Sequence, residues 1–462
     1  MSILDTLISF LPEVKGPTQK KLAFKQKLKW TAVTLVVFFI MGLVPLAGLG
    51  ENSLQQFEFL SIILGASFGS IVSLGIGPIV TSSIVLQLLS GTGILNMDMT
   101  SPEGRQRFQG LQKVMAVGFT LLEAFIYVLM GGLAPSAAYA GTSLYGMLQG
   151  LLIVQLFIGG ILILWMDEVV SKWGFGSGVS LFIAAGVSRQ IFIRAFNFLP
   201  SPTNPDIAAG AIPALFQSLG NGDITTAALM LASVVSTLVV FAVCVYCQAM
   251  KVEIPLSFGR VRGHSLRWPL NFFYTSNIPV ILVAALLANI QLIATLLENW
   301  GYPLLGTFSG NTPISGFVFW LYAPDIVRAF ITGSFTWVNI GQAVIYAFVM
   351  AIGSMIFSIF WVQTANMDAA SQAKQILNSG LQIPGFRRDQ RVLERILSRY
   401  IWPLTIVGGI SVGLLAALAD LTGALSQGTG ILLAVMIVYK LYEEIAKQHM
   451  MDMHPALRKM ME

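Results

Sequence analysis

Long runs of apolar residues, separated by shorter segments that hold most of the charged residues, dominate the chain from residue 30 onward. A bilayer core of about 30 Å is crossed by roughly 20 apolar residues in a helix. In lipid, an open chain can satisfy its backbone hydrogen bonds only as a helix. The pattern therefore predicts an all-α integral membrane protein with ten transmembrane helices. The predicted spans are 30–49, 74–95, 114–133, 144–165, 175–193, 227–250, 278–297, 337–361, 401–419 and 421–439.

One apolar stretch, FEFLSIILGASF at 57–68, is too short to cross and contains Glu58. If it does not cross and the N-terminus is cytoplasmic, only Arg189, Arg194 and Arg328 of the 27 Lys and Arg residues lie outside. Counting it as a span would place most cations outside, against the positive-inside rule. The charges therefore predict a short re-entrant helix at 57–69 and place both termini in the cytoplasm.

The ten spans divide into five plus five around the long segment 197–226. Because each half has an odd number of spans, the second half is predicted to be inverted relative to the first. Inverted repeats place a shared site near the membrane midplane, at the interface of the halves. Secondary transporters are also built in this way, so a secondary active transporter with five-plus-five inverted repeats is the alternative function.

The predicted organisation has five parts and two prominent cytoplasmic loops. Apolar residues recur at helical spacing before Pro12, which predicts an amphipathic helix on the membrane surface. The parts are an N-terminal segment 1–29, a first half 30–196, an external hinge 197–226, a second half 227–446 with loops 251–269 and 363–399, and a C-terminal tail 447–462.

Composition narrows the function further. Only 11% of the residues are charged and 55% are hydrophobic, which excludes an ordinary soluble protein, a disordered chain and a nucleic-acid binder. With two cysteines, the chain is not a disulfide scaffold. The dipeptide Gly-Lys does not occur, so there is no Walker A loop and the energy for any transport must come from a partner.

Short motifs that suggest enzymes lack the groups they need. The GASFG sequence at 65–69 resembles a serine-hydrolase elbow, but His264, His449 and His454 are all predicted on the other membrane side. The GNGD sequence at 220–223 resembles an aspartyl-protease motif, but no aspartate falls inside a predicted span. Cys244 and Cys247 lie in mid-span without further ligands. We therefore expect no enzyme activity, cofactor or metal.

Two sets of polar residues remain as candidates. Glu123 is the only ionisable residue well inside a predicted span; it is either a hydrogen-bonded packing residue or a functional one. Thr81 and Asn289 lie at similar depth and could meet it. The loops 251–269 and 363–399 carry exposed arginines, which suit RNA phosphate, lipid headgroups or acidic protein, although topology signalling alone would also explain them.

Long stretches of the sequence resemble the SecY family, the large subunit of the protein-conducting channel, and most closely its archaeal branch. The resemblance runs nearly end to end. It is carried by 24–31 (FKQKLKWT), 74–89 (LGIGPIVTSSIVLQLL), 167–187 (DEVVSKWGFGSGVSLFIAAGV), 276–291 (SNIPVILVAALLANIQ) and 428–433 (GTGILL).

The resemblance implies specific roles for residues that spacing alone would assign to an ordinary core. It implies a plug with apolar residues Phe57, Leu60, Ile62, Ile63, Leu64 and Phe68. The implied constriction is a ring formed by Ile76, Val80, Val179, Ile183, Ile281 and Leu433. The polar cluster of a lateral gate toward lipid falls on Thr81, Glu123 and Asn289, and the ribosome-binding loops carry Arg260, Arg262, Arg387 and Arg388.

The implied function is translocation of unfolded secretory polypeptides, with lateral release of hydrophobic segments into the lipid. Expected partners are a SecE-like subunit and a small third subunit in a heterotrimer, a ribosome or other cytoplasmic driving partner, signal sequences and nascent chains, and membrane lipid. The expected location is the plasma membrane. The transporter alternative would need a charged or ion-coordinating midplane site, which the spans lack.

Overall fold

The computed structural model describes residues 13–17, 22–52, 67–91, 94–95, 102–201, 207–258, 265–275, 278–309, 312–365, 367–378, 381–382, 389–426 and 428–453. The chain is mostly helical in these ranges. The long helices are α1 (Phe24–Met41), α2 (Gly77–Gly91), α3 (Pro102–Leu129), α4 (Ser143–Trp173), α5 (Gly178–Phe196), α7 (Ile224–Ala249), α8 (Ile278–Asn299), α11 (Trp337–Thr364), α13 (Gln390–Asp420) and α14 (Gly428–Met453). The shorter helices are α6 (Ala211–Gly220), α9 (Phe317–Trp320), α10 (Ile326–Ile331) and α12 (Ala369–Asn378).

Each of the ten predicted spans overlaps one long helix. Seven helices in the described ranges, namely α3, α4, α5, α7, α8, α11 and α13, are long and apolar enough to cross a membrane. The other three long helices are too short or too charged to meet that requirement. Helix α2 is only 15 residues long, α1 has three lysines among its first six residues, and α14 ends in a charged segment. The count of ten crossings therefore stays a prediction.

Several boundaries differ from the sequence prediction for local reasons. Helix α1 ends at Met41 instead of continuing to residue 49, since Pro45 lacks the N–H that a continuing helix needs. Helix α14 begins at Gly428 instead of 421, because the chain first turns through Gly423, whose φ is +63°. The predicted external hinge 197–226 contains α6, which sequence analysis did not predict.

Small residues let the helices approach closely. Gly409 and Gly413 of α13 lie against Ser358 and the backbone of Met350 on α11, where a Cβ would collide. Gly160 of α4 meets Thr120 of α3 in the same way. Without a hydrophobic driving force in lipid, such contacts supply much of the association between helices.

In the described part of the chain, three short antiparallel sheets lie outside the helices. Strands β1 (Glu51–Asn52) and β2 (Leu133–Ala134) pair, as do β5 (Gly306–Ser309) and β6 (Thr312–Gly316). The third sheet has the order β4-β3-β7, with β3 at Lys251–Phe258, β4 at Ser265–Asn271 and β7 at Leu381–Gln382. This sheet joins the two loops that are predicted to be cytoplasmic, because Ser257 pairs with Gln382 and Phe258 with Leu381.

Candidate functional site

Six aliphatic residues from four parts of the chain belong to one apolar cluster in the interior. Ile76 lies in the turn before α2 and Val80 lies on α2, while Val179 and Ile183 lie on α5. Helix α8 contributes Ile281, and α14 contributes Leu433. All six belong to one apolar cluster, in which five are buried and Val179 is half-buried. We call these six residues the aliphatic ring.

Local sequence explains how α2 and α5 present their members. Gly75, with a φ of +55°, allows the turn that ends in Ile76, and Pro78 is tolerated in the first turn of α2 because its missing N–H would have no helical partner. Ile76 and Val80 are four residues apart, as are Val179 and Ile183. Each pair therefore lies on one helical face.

A cavity of about 680 Å³ opens on one side of the aliphatic ring. Val80, Val179 and Ile281 belong to its lining. The rest of the lining is mixed: Phe108, Ile278 and Leu282 are apolar, whereas Gln112, Asp167, Lys440 and Glu444 are polar or charged. The C-terminal ends of α4 and α11 border the cavity, so the predicted topology places its mouth on the cytoplasmic side.

The three residues predicted for a lateral gate are brought together by hydrogen bonds. The Thr81 hydroxyl on α2 donates a 3.2 Å hydrogen bond to Glu123 Oε1 on α3. Asn289 Nδ2 on α8 donates to Thr81 Oγ1 over 3.5 Å. The Thr81 hydroxyl also lies 2.9 Å from the Gly77 carbonyl oxygen, so its single proton is shared.

The bond from Asn289 across α2 and α8 is 3.5 Å long, whereas the bond from Thr81 to Glu123 across α2 and α3 is 3.2 Å long. Gln112 Nε2 of α3 adds a 2.5 Å bond to Ser83 Oγ of α2, which ties these two helices at a second level. Interhelical hydrogen bonds in membranes average about 0.6 kcal/mol. Helices α2 and α3 are thus joined by two hydrogen bonds between side chains. The bond from Asn289 is the long one that connects the polar cluster to α8.

The predicted plug lies mostly outside the described residues, including Phe57, Leu60, Ile62, Ile63 and Leu64. Its end is described. Phe68 is half-buried and packs against an apolar cluster that includes Leu46 and Leu74. Ser67 Oγ donates to the Gly42 carbonyl at 3.2 Å, and the Leu46 amide donates to the Gly69 carbonyl at 2.9 Å. The end of this segment is therefore fixed to the turn after α1.

The four arginines predicted to contact a ribosome, Arg260, Arg262, Arg387 and Arg388, also lie outside the described residues. Their loops leave from neighbouring strands, β3 and β7. Lys251 at the start of β3 forms a 2.8 Å ion pair with Glu443 of α14, and the hydrogen bond that it donates to Glu443 raises the pKa of Lys251. Strand β3 is thereby also linked to the transmembrane bundle.

Two half-buried carboxylates, Asp167 and Asp420, were missed by sequence reasoning. Helix α4 extends past its predicted span to Trp173 and so contains Asp167, and α13 ends at Asp420, one residue after its predicted span. Apolar runs stop at these aspartates although the helices continue to them or past them. The third aspartate considered, Asp223, is the N-cap of α7 and accepts the Thr226 amide at 3.1 Å, in keeping with a turn before a span.

Comparisons with known proteins agree with this architecture. A family model described as SecY matches residues 70–442, and one described as the plug domain of Sec61p matches residues 36–69. Protein translocase subunit SecY of the archaeon Methanothermobacter thermautotrophicus is 47% identical over 98% of this chain and 97% of its own length.

Two solved structures have the same fold. One is described as the structure of a protein conducting channel; it has a TM-score of 0.83 and 39% identity, covering 98% of this chain and 99% of its own. The other is Sec61 in the canine ribosome-channel complex from the endoplasmic reticulum, with a TM-score of 0.80, 39% identity, and 98% and 99% coverage. The fold is therefore that of a protein-conducting channel. The chain belongs to the SecY family.

Proposed function

We propose that this chain is the channel-forming subunit of a protein translocase. It passes unfolded secretory polypeptides across the membrane and releases hydrophobic segments sideways into the lipid. The observation that carries the proposal is that six aliphatic side chains from four parts of the chain share one apolar cluster, and that three of them line an open cavity. A secondary transporter is not favoured, since it would need a charged or ion-coordinating midplane site.

The aliphatic ring acts as the seal of the closed channel. An apolar constriction excludes ions because water leaves it. Aliphatic side chains also offer a passing polypeptide no hydrogen bonds that would hold it in place. They part around the chain and close again behind it, so the seal does not depend on the sequence that is translocated.

The plug, residues 57–69, supports this seal from the external side. The contacts of Ser67 and Gly69 with the turn after α1 give the segment a fixed base. The apolar residues of 57–64 can then leave the constriction while the base remains attached. The match of residues 36–69 to a plug domain supports this role.

The seam between α2 and α8 is the lateral gate. Its polar cluster is held to α8 by one long hydrogen bond, which is weak enough for the helices to separate. Phe108, Ile278 and Leu282 line the cavity from α3 and α8, next to this seam. A hydrophobic segment in the cavity therefore meets an apolar wall and then lipid, where its burial from water is favourable.

Gate variants test the function directly through import of secretory precursors into sealed vesicles. Replacing Glu123 or Asn289 by leucine makes the closed seam apolar, so opening it toward the aqueous cavity costs about 1 kcal/mol more. A leucine contributes roughly 0.5 kcal/mol to insertion. We therefore expect these variants to require about two additional leucines in the signal for half-maximal import.

The matched variant is Glu123→Gln, which keeps an acceptor oxygen for Thr81 and should import close to the wild-type threshold. A series of signals with increasing leucine content measures all three variants. An unchanged threshold in both leucine variants would remove the gate assignment.

Partners complete the proposed assembly. Only 11% of the α7 span is buried within the chain, so its surface is available to lipid or to another helix. We assign a SecE-like subunit as the helix that clamps the two halves, with a small third subunit beside it. Both termini lie in the cytoplasm and the protein resides in the plasma membrane.

The ribosome, or another cytoplasmic driving partner, binds the arginine-bearing loops. Strands β3 and β7 are neighbours in one sheet; Arg260 and Arg262 follow β3 in the sequence, and Arg387 and Arg388 follow β7. Guanidinium groups bind phosphate in a bidentate manner, which suits a ribosomal RNA surface.

Charge reversal at Arg387 and Arg388 should weaken ribosome binding about tenfold at physiological salt, with a smaller difference at high salt. Co-sedimentation of ribosomes with proteoliposomes over a salt series measures this. Lys374→Glu is the matched control because Lys374 is an exposed cation on α12 of the same loop. Equal binding by the double variant and the control would leave the arginines only a role in topology.

A further inference from the structure

Asp167 and Asp420 occupy corresponding places in the two halves. Asp167 lies near the end of α4, the fourth predicted span, and Asp420 ends α13, the ninth. Each is followed by a short connection and by the last span of its half, α5 or α14. The predicted topology places Asp167 at the cytoplasmic mouth of the channel and Asp420 at the external mouth.

Each aspartate accepts a hydrogen bond from the start of the next helix. The Val179 amide, second in α5, donates to Asp167 Oδ1 at 2.9 Å. The Thr429 amide, second in α14, donates to Asp420 Oδ1 at 2.7 Å. Asp420 also accepts from the Thr429 hydroxyl and, at 2.7 Å, from the Tyr346 hydroxyl of α11. Both carboxylates are half-buried, and these hydrogen bonds offset the loss of contact with water.

The first residue of each helix is a glycine that packs against the preceding span. A Cβ on Gly178 would collide with Asp167, and a Cβ on Gly428 would collide with Ala419. Other helices receive a cap from the residue directly before them, as α7 does from Asp223. Helix α5 differs: the side chain of Ser177, the residue before it, forms no capping bond. The cap comes instead from Asp167 on the preceding span.

The two caps lie at the same distance in sequence from members of the aliphatic ring. Ile183 is four residues after Val179, and Leu433 is four residues after Thr429, which is about one helical turn. A carboxylate at a helix start also interacts favourably with the helix dipole. The height and rotation of both ring-bearing helices are therefore tied to the neighbouring span.

We propose that Asp167 and Asp420 are an equivalent pair of positioning residues, each of which fixes the start of a helix that carries part of the aliphatic ring. This inference rests on the proposed sealing role of the ring. The side chains of the ring can then yield to a polypeptide while the backbones of α5 and α14 stay in place.

Resting ion conductance of the reconstituted channel tests the proposal. Loss of a cap shifts an equilibrium by about fivefold, so Asp167→Ala and Asp420→Ala should each raise the resting conductance by about that factor. Asp167→Asn and Asp420→Asn keep an acceptor oxygen and should stay close to wild type. This rescue separates positioning from a general loss of packing.

Asp223→Ala is the matched control, because it removes an aspartate cap from α7, which carries no ring residue; it should not leak. Ile281→Ser reports on the ring itself. A tight channel in both alanine variants, together with a leaking Ile281→Ser, would overturn the positioning role and leave the proposed function intact. A tight Ile281→Ser would overturn the sealing ring, and the inference with it.

A second variant serves if an alanine variant does not accumulate in the membrane. Asp167→Glu and Asp420→Glu keep the charge but place the carboxylate one methylene further from the backbone. Each should leak more than wild type and less than the Ile281→Ser channel. Wild-type tightness of both glutamate channels would contradict the proposal.

Discussion

Replacing Ile281 or Ile76 by serine should raise the resting ion conductance of the reconstituted channel by roughly ten- to a hundredfold. Both side chains are buried in the aliphatic ring. Removing a large aliphatic side chain forfeits about 1.5–3 kcal/mol of apolar transfer free energy, and each 1.4 kcal/mol changes a population tenfold. The wetted, conducting state of the constriction becomes correspondingly more populated.

The matched control is Ile293→Ser, on the same helix α8. Ile293 is 45% exposed, so this substitution introduces the same hydroxyl on an outward face. Single-channel recording in planar bilayers compares the variants. Equal conductance in Ile281→Ser and Ile293→Ser would show that the ring does not seal the channel.

Deleting residues 57–66 should also open the resting channel to ions, with an effect of the same order as a ring substitution. The deletion removes the apolar plug residues up to Leu64 but keeps the contacts of Ser67 and Gly69 with the turn after α1. A dewetted constriction that has lost its apolar support fills with water more readily.

A second variant separates the plug's side chains from its length. Replacing 57–66 by a glycine-serine segment of equal length preserves the connection but removes the apolar surface. It should leak as much as the deletion does. If the deletion leaks and the replacement is tight, the length of the segment matters and the plug assignment of its apolar side chains is wrong.

Hydropathy located the long helices, because in lipid it dominates the free energy of each segment separately. Each of the ten predicted runs overlaps a long helix, and the resemblance to the SecY family is confirmed. The ends of the helices were predicted less accurately. Helix α4 extends beyond its apolar run to Trp173, since a helix need not stop where the bilayer core stops.

Features that depend on contacts distant in sequence could not be derived from the pattern. Strand β7 pairs with β3 across more than a hundred residues, and no local signal predicts that register. By spacing alone, Ile76 and Val80 are ordinary core positions, and only the family resemblance singled them out. One feature of the sequence could have identified Asp167 and Asp420. Each aspartate follows an apolar run, and the next transmembrane helix begins with a glycine, Gly178 or Gly428.

The gate cluster is intermediate between these cases. Glu123 was recognisable from sequence as an isolated intramembrane carboxyl. Its partners Thr81 and Asn289 lie on helices that are far apart in the chain, so their meeting through hydrogen bonds is a property of the packed bundle. The sequence showed that the three polar residues lie at similar depth in the membrane, so a contact between them was possible. The direction in which each side chain points is set by the tertiary structure.

The most direct measurement of the central claim places a photo-reactive amino acid at Ile281 and, separately, at Ile293, in channels that hold a secretory polypeptide arrested halfway through translocation. A chain that passes through the aliphatic ring must touch Ile281 and not the outward-facing Ile293. We predict a strong crosslink from the first position and none from the second. Crosslinking at Ile293 without crosslinking at Ile281 would contradict the account.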